Sequence, residues 1–175
     1  MTHLPHHDSY SDSVIHDILK SVKTIAMVGF SANPSRPSYF VAKYLIERGY
    51  ALYLINPGLA GQEFFGAKTY ATLADVKAPI DMVDIFRNSE AALTITEEAL
   101  ALEPLPKVIW MQLSVRNDEA AATAEAQGVT VIMNRCPKIE FGRFSGEIGW
   151  AGVNTGLISS KKPLLGAKSW QKRGI

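Results

Sequence analysis

The chain has one cysteine, Cys136, in 175 residues, which excludes an intrachain disulfide. It has no excess of charge. Lys and Arg number 18 against 17 Asp and Glu, a formal net charge of +1, so no global field points to nucleic acid or to an acidic partner. No apolar run approaches the ~20 residues that cross a bilayer, and no membrane association is expected. Residues 1–12 hold His and Asp without an apolar centre, unlike a secretory signal; the expected location is the cytoplasm. Histidine is confined to His3, His6, His7 and His16. None follows Ser31, which excludes a downstream Ser-His-Asp triad.

What is present is the composition of a globular domain, with 47% hydrophobic and 20% charged residues. The length suffices for one proper core plus tails. The chain is organised around Thr24 to Ser38. An apolar run over residues 25–28 ends at Gly29, a polar loop with Pro34 and Pro37 follows, and a helical pattern runs from Ser38 to Arg48. A buried strand, a glycine turn and a helix N-terminus form a phosphate-binding arrangement, because backbone N–H groups and the positive end of the helix dipole converge there.

Residues 1–10 read as a flexible arm. His3, His6 and His7 sit in it without a Cys or carboxylate cluster, so they are expected to be solvated and no metal site is assigned. Residues 12–22 read as a helix, a lid on the edge of the core, with Val14, Ile15, Ile18, Leu19 and Val22 at helical spacing. Ser11, Asp12 or Ser13 caps it. Strands are read at 25–28, 50–55, 82–86, 108–111 and 129–133. Helices are read at 38–48, from an Asn88 or Ser89 cap to Leu102, and at 116–127, where Asp118 and Glu119 suit the first turn. Residues 59–68 read as a glycine-containing loop and 71–76 as a short helical turn.

Short apolar strands alternating with helices argue for an α/β fold, a doubly wound five-stranded parallel sheet with helices on both faces. With right-handed crossovers the simplest strand order is 3-2-1-4-5. The switch point then lies at the C-terminal ends of strands one and four, beside the glycine turn. From Ser145 glycine and lysine become frequent, and residues 145–175 read as an extended or disordered basic tail. Trp150 and Trp170 are available there to anchor it to a partner protein, to the second subunit of a homodimer or to the domain surface.

Gly29-Phe30-Ser31 is not the G-x-G-x-x-G dinucleotide fingerprint, and Asn56-Pro57 stands where an NAD site usually has its acidic ribose anchor. No G-K-[ST] follows at P-loop spacing. What remains suits a phosphate-rich nucleotide of another kind. Ser31 and Ser38 supply hydroxyl donors, Arg36 a fork for phosphate or a plane for adenine, and Lys68 reaches for a further phosphate. The alternative is structural: Ser31, Asn33 and Ser38 build the turn and cap the helix.

The run Val28-Gly29-Phe30-Ser31-x-x-Pro34-x-Arg36-x-Ser38, then Gly49-Tyr50 and Ile55-Asn56-Pro57, resembles the CoA-binding domain proteins. These are small single-domain relatives of the nucleotide-binding domain of the succinyl-CoA synthetase α subunit. The resemblance continues through Asp81-Met82-Val83-Asp84-Ile85-Phe86-Arg87, Ile109-Trp110-Met111-Gln112 and Asn134-Arg135-Cys136-Pro137-Lys138-Ile139-Glu140, in order, over residues 15–144. It implies a Rossmann-like fold for residues 11–144 and coenzyme A or acyl-CoA as ligand. By the same resemblance the CoA phosphates lie on the loop from Gly29 to Ser38, Phe30, Ser31 and Pro34 included, with Arg36 beside the phosphates or adenine. Asn56 and Pro57 border the nucleotide end, Phe86 and Arg87 line the pantetheine path, and Gln112 faces the same cleft. Phe30 stands where the family commonly has Ala, a departure expected to narrow the pocket. Phe86 as plain core and Arg87 as a cap for neighbouring carbonyls are the alternatives.

The synthetase relatives work through a phosphorylated histidine in a second domain; here every histidine precedes the first strand, so that chemistry is not expected in cis. Cys136 lies past strand five near Arg135 and Lys138, cations that lower a thiol pKa. A mixed disulfide with the CoA thiol under oxidation is one reading, a small residue packed under Pro137 the other. Asp81 and Asp84, three apart in a strand, point to opposite faces and form no dyad. The expected function is therefore a non-catalytic CoA or acyl-CoA binding protein, a sensor, carrier or regulatory module. The competing readings are a subunit of a CoA-dependent ligase or transferase with catalysis on a partner chain, and an NAD(P)-dependent oxidoreductase, against which the missing glycines and Asn56 count.

Overall fold

The apolar runs of the sequence become a sheet covered on both faces. The structure is a computed structural model that describes residues 3–146; the expectations for the tail beyond them, Trp150 and Trp170 among them, lie outside the described residues. The strands are β1 (Thr24–Val28), β2 (Ala51–Ile55), β3 (Glu63–Phe64), β4 (Ala67–Tyr70), β5 (Met82–Ile85), β6 (Val108–Met111) and β7 (Thr130–Ile132). β5 and β6 are buried at every position, as strands between two helical layers must be.

The strand order is β3-β4-β2-β1-β5-β6-β7. All neighbours run parallel except the β3–β4 hairpin. This corrects the five-stranded 3-2-1-4-5 expectation. Residues 59–68, read as a loop, contain that hairpin, which turns at Phe65 and Gly66 with φ of 56° and 79°. Its returning strand β4 pairs with the outer side of β2 and takes third place in the chain order. Met82–Ile85, read as the third strand, pairs instead with β1. With β4 included, the parallel strands run 3-2-1-4-5-6. The switch point lies between β1 and β5, not between β1 and β6.

Among the described residues five α-helices pack on this sheet: α1 (Asp12–Ser21), α2 (Pro37–Glu47), α3 (Ser89–Leu100), α4 (Asp118–Glu125) and α5 (Pro137–Phe144). Ser11, Asn88 and Asn117 accept the N–H of Val14, Ala91 and Ala120 as N-caps, each contributing ~1 kcal/mol. α5 is a helix that the reading of the sequence lacks; Pro137 starts it at a position where no N–H is needed. One core holds Ile15, Leu19, Val41, Leu45 and Cys136 against Ile25, Met27, Leu54, Met82 and Trp110, under α1, α2 and α5. The other holds Ile95, Ala99, Ala120 and Ala124 against Ala26, Val83, Ile85 and Ile109, under α3 and α4. Alternation along β5 puts Asp84 on the same side as Met82, fully buried among apolar neighbours.

Residues 3–10, read as a flexible arm, lie against α4 and the end of β7. The Leu4 N–H donates to Asp118 (3.0 Å), and Arg116 donates to the Leu4 carbonyl (3.0 Å) and the Asp8 carboxylate (2.8 Å). The Tyr10 hydroxyl accepts the Met133 N–H at 2.8 Å. His7 is buried, contrary to the expectation of a solvated side chain. Among the described residues no helix is long and apolar enough to cross a membrane.

Candidate functional site

Because the strands are parallel, the C-terminal ends of β1, β2, β4, β5 and β6 meet at one edge, and the loops after β1 and β5 diverge to opposite faces. A cleft of about 910 Å³ opens there, in the size range of small-molecule sites. Its edge is built by Gly29 and Ser31 after β1, Asn56 and Pro57 after β2, Ala71 and Thr72 after β4, Phe86 and Arg87 after β5, and Gln112 and Leu113 after β6. Arg36 and Ser38 close one side from the start of α2; Ala91, Thr94, Ile95 and Glu98 close the other from α3.

Gly29 makes the turn possible. Its φ is +89°, a conformation that glycine adopts without a Cβ penalty. The loop it starts then satisfies itself. The N–H groups of Gly29 and Phe30 donate to the Ile55 carbonyl (3.0 and 3.3 Å), and that of Arg36 to the Asn33 carbonyl (2.9 Å). Ser31 N–H donates to Ser38 Oγ (3.0 Å), Asn33 N–H to Ser31 Oγ (3.2 Å) and Ser35 N–H to Asn33 Oδ1 (2.9 Å). The turn-building role of Ser31, Asn33 and Ser38 is therefore what their hydrogen bonds show. The expected convergence of free backbone donors shrinks, among the described residues of this loop, to the N–H groups of Ala32 and Ser38.

Asn56 is engaged as well. Its Nδ2 donates to the Phe30 carbonyl at 2.7 Å and its Oδ1 accepts the Gly58 N–H at 2.8 Å, so it fastens the loop after β2 to the loop after β1. Phe30 is 1% exposed. Its ring packs against Phe64 (5.1 Å between centroids) and Tyr39 (6.5 Å). Phe30 nevertheless remains among the residues that line the cleft.

Two cations remain uncommitted at the rim. Arg36 and Arg87 are exposed and, among the described residues, their side chains have no hydrogen bond or ion pair. The one acidic residue lining the cleft is Glu98. Of the residues proposed from the sequence, the structure brings Gly29, Phe30, Ser31, Arg36, Ser38, Asn56, Pro57, Phe86, Arg87 and Gln112 to this cleft. Pro34 and Lys68 are not part of its lining; the Lys68 ammonium lies 5.3 Å from the Tyr70 ring centre, on the outer hairpin. Thr72, Thr94 and Glu98 line the cleft without being candidates from the sequence. Thr72 follows the strand that was missed, and the α3 pair shows in sequence only as the polar side of an amphipathic helix.

The floor is polar and buried. Gln112 Nε2 donates to both oxygens of Asp84 (2.9 and 3.1 Å), while Gln112 Oε1 is buried without a partner. Burial raises the Asp84 pKa to about 8 against the opposing pull of the Gln112 hydrogen bond, so the acid form persists near neutrality. Cys136 is 1% exposed, and burial pushes its pKa up to about 12. That corrects the expected activation by Arg135 and Lys138. Arg135 lies toward Tyr10 and Glu140, and Lys138 over the rings of Phe40 and Tyr44.

Comparison with known proteins gives the geometry a family. The uncharacterized protein YneT of Bacillus subtilis strain 168 is 36% identical over 129 residues, covering 74% of this chain and 93% of that protein. A solved structure from Thermus thermophilus has a TM-score of 0.72 at 36% identity over 77% of this chain and 98% of its own. A hypothetical protein from Pyrococcus horikoshii OT3 has a TM-score of 0.74 at 34% identity, over 83% and 100%. The family model described as a CoA binding domain matches residues 23–142. That span contains β1 to β7 and every described residue lining the cleft, and the chain belongs to the CoA binding domain family.

Proposed function

We propose that the chain binds coenzyme A or an acyl-CoA in this cleft and serves as a non-catalytic sensor, carrier or regulatory module. The observation that carries the reading is the pair Arg36 and Arg87, exposed at the rim with no acidic partner among the described residues. A guanidinium without a protein partner offers a planar fork that matches phosphate oxygens. In this reading the CoA phosphates lie between Arg36 and the loop from Gly29 to Ser38. The nucleotide end borders Asn56 and Pro57, and the pantetheine arm runs past Phe86 and Arg87 toward Gln112.

The test is calorimetric titration of the full chain with CoA, with dephospho-CoA and NADH as controls. CoA is expected to bind and NADH not. Arg36→Ala is expected to weaken CoA binding by roughly 10–100-fold, the worth of a charged hydrogen-bonding group. Absence of CoA binding by the wild-type chain overturns the reading and leaves a family fold without the family ligand.

A further inference from the structure

Away from the cleft, one cluster gathers three ligating side chains. His6 and His7 share a single 3-10 turn, Pro5–His7. Both present Nε2 to Glu125, the last residue of α4. His6 Nε2 lies 3.2 Å from each carboxylate oxygen, and His7 Nε2 lies 3.1 Å from Oε1. The three ligand atoms lie within 4.8 Å of one another. Donors at ~2.0–2.1 Å from a tetrahedral zinc ion stand about 3.3 Å apart, so the cluster needs little adjustment to enclose one.

Three further observations point the same way. The His7 side chain is 1% exposed, and its buried Nε2, although 3.1 Å from Glu125 Oε1, is not aligned for a hydrogen bond to it. Its Nδ1 lies 2.9 Å from the Tyr10 hydroxyl, which the Met133 N–H fixes at 2.8 Å. The hydroxyl oxygen has a second lone pair for an Nδ1–H, and in that tautomer Nε2 keeps its own lone pair for a metal, the outer-partner arrangement usual for a metal-bound imidazole. Finally, the last turn of α4 carries no basic side chain, so the negative end of its dipole is not offset by a cation of its own. The nearby Arg116 is already engaged by Asp8 and Asp118.

We propose that His6, His7 and Glu125 form a site for a divalent transition metal of the zinc class, which staples residues 3–10 to the end of α4. Two imidazoles and one carboxylate suit that class better than Mg²⁺ or Ca²⁺, which prefer all-oxygen sets. With three protein donors, the fourth position of a tetrahedral ion falls to water. The sequence alone hides the site because Glu125 lies 119 residues from His6.

The test is titration of the untagged full chain with Zn²⁺ in competition with a chromophoric chelator. One equivalent is expected to bind. Glu125→Gln, which preserves shape at a partly exposed position, and His6→Ala are each expected to weaken Zn²⁺ binding by more than the roughly 10–100-fold that outer-partner losses cause. His3→Ala, in the same segment but bonded to Asp8 and Arg116, is expected to leave the affinity unchanged. Co²⁺ is expected to give the strong visible absorption of a tetrahedral ion in the wild type and not in Glu125→Gln, with circular dichroism the same for both. The proposal is overturned if Zn²⁺ does not bind stoichiometrically, if Glu125→Gln binds it as well as the wild type, or if His3→Ala loses as much as His6→Ala.

Discussion

A β-carbon added at Gly29 would stand 2.6 Å from the carbonyl oxygen of Phe86. The two residues leave adjacent strands at the switch point, and the Phe86 N–H donates to the Val28 carbonyl at 2.8 Å. The backbones are thus locked where the extra atom would go. Gly29→Ala is expected to lose about 2–4 kcal/mol of stability, from the clash and the positive φ together. Gly49 also has a positive φ, +91°, but open space where its Cβ would be. Gly49→Ala is therefore expected to lose only the backbone part, about 1–2 kcal/mol. Urea denaturation checks both, through a lower midpoint at unchanged slope.

Arg87 and Lys68 separate cleft from hairpin. Arg87→Ala is expected to weaken CoA binding about tenfold while changing stability by less than ~0.5 kcal/mol, since its head has no partner among the described residues. Lys68→Ala is expected to leave CoA binding unchanged, because Lys68 is absent from the cleft lining. Calorimetry on the two variants decides this; equal losses would put the hairpin in the site.

Asp84 makes stability depend on pH in an unusual direction for a carboxyl group. Its pKa rises to about 8 in the folded protein from an ordinary value of 3.8. Below that ordinary value both states hold the proton. Between about 4 and 8 the unfolded chain releases it and the folded chain keeps it, so this group makes stability fall as pH rises. Asp84→Asn does not titrate, and its amide oxygen can still accept from Gln112 Nε2 as the carboxyl does. The variant is expected to be more stable than wild type by about 1–3 kcal/mol near neutral pH, with the gain shrinking toward pH ~4. Denaturation midpoints across that range measure it.

Cys136 is expected to resist thiol reagents in the folded chain, since its thiol is 1% exposed and holds its proton up to about 12. Labelling by an aromatic disulfide should proceed at the rate of unfolding. Diamide with CoA should add no mass to the native protein. An adduct formed without unfolding would restore the mixed-disulfide reading.

The glycine turn, the strands at β1, β2, β5, β6 and β7, and the caps Ser11 and Asn88 are legible because each is a local pattern: a short apolar run, a punctuating glycine, a side chain three residues ahead of its N–H. β4 escapes because Ala67–Tyr70 alternates exposed Lys68 between buried Ala67 and Thr69 on a strand of four residues. Missing it displaced every later strand in the inferred order. α5 escapes because Gly142 interrupts a helix of only eight residues begun by proline. The buried His7 and the unpartnered Arg87 belong to a third kind. Whether a side chain has a partner depends on residues far along the chain, which no window of sequence contains.

The self-satisfied loop after Gly29 has a consequence for how an encounter with a ligand proceeds. Its backbone is already held in one shape by the Ile55 carbonyl, Ser38 and Asn33. Little main-chain freedom is left to lose when the cleft fills. The entropy of binding then falls on long side chains such as Arg36 and Arg87, about 0.5–1.5 kcal/mol for each one immobilised. A ligand meets a rigid floor with two swinging arms, and association should be limited by diffusion and the settling of those arms rather than by closure of a loop.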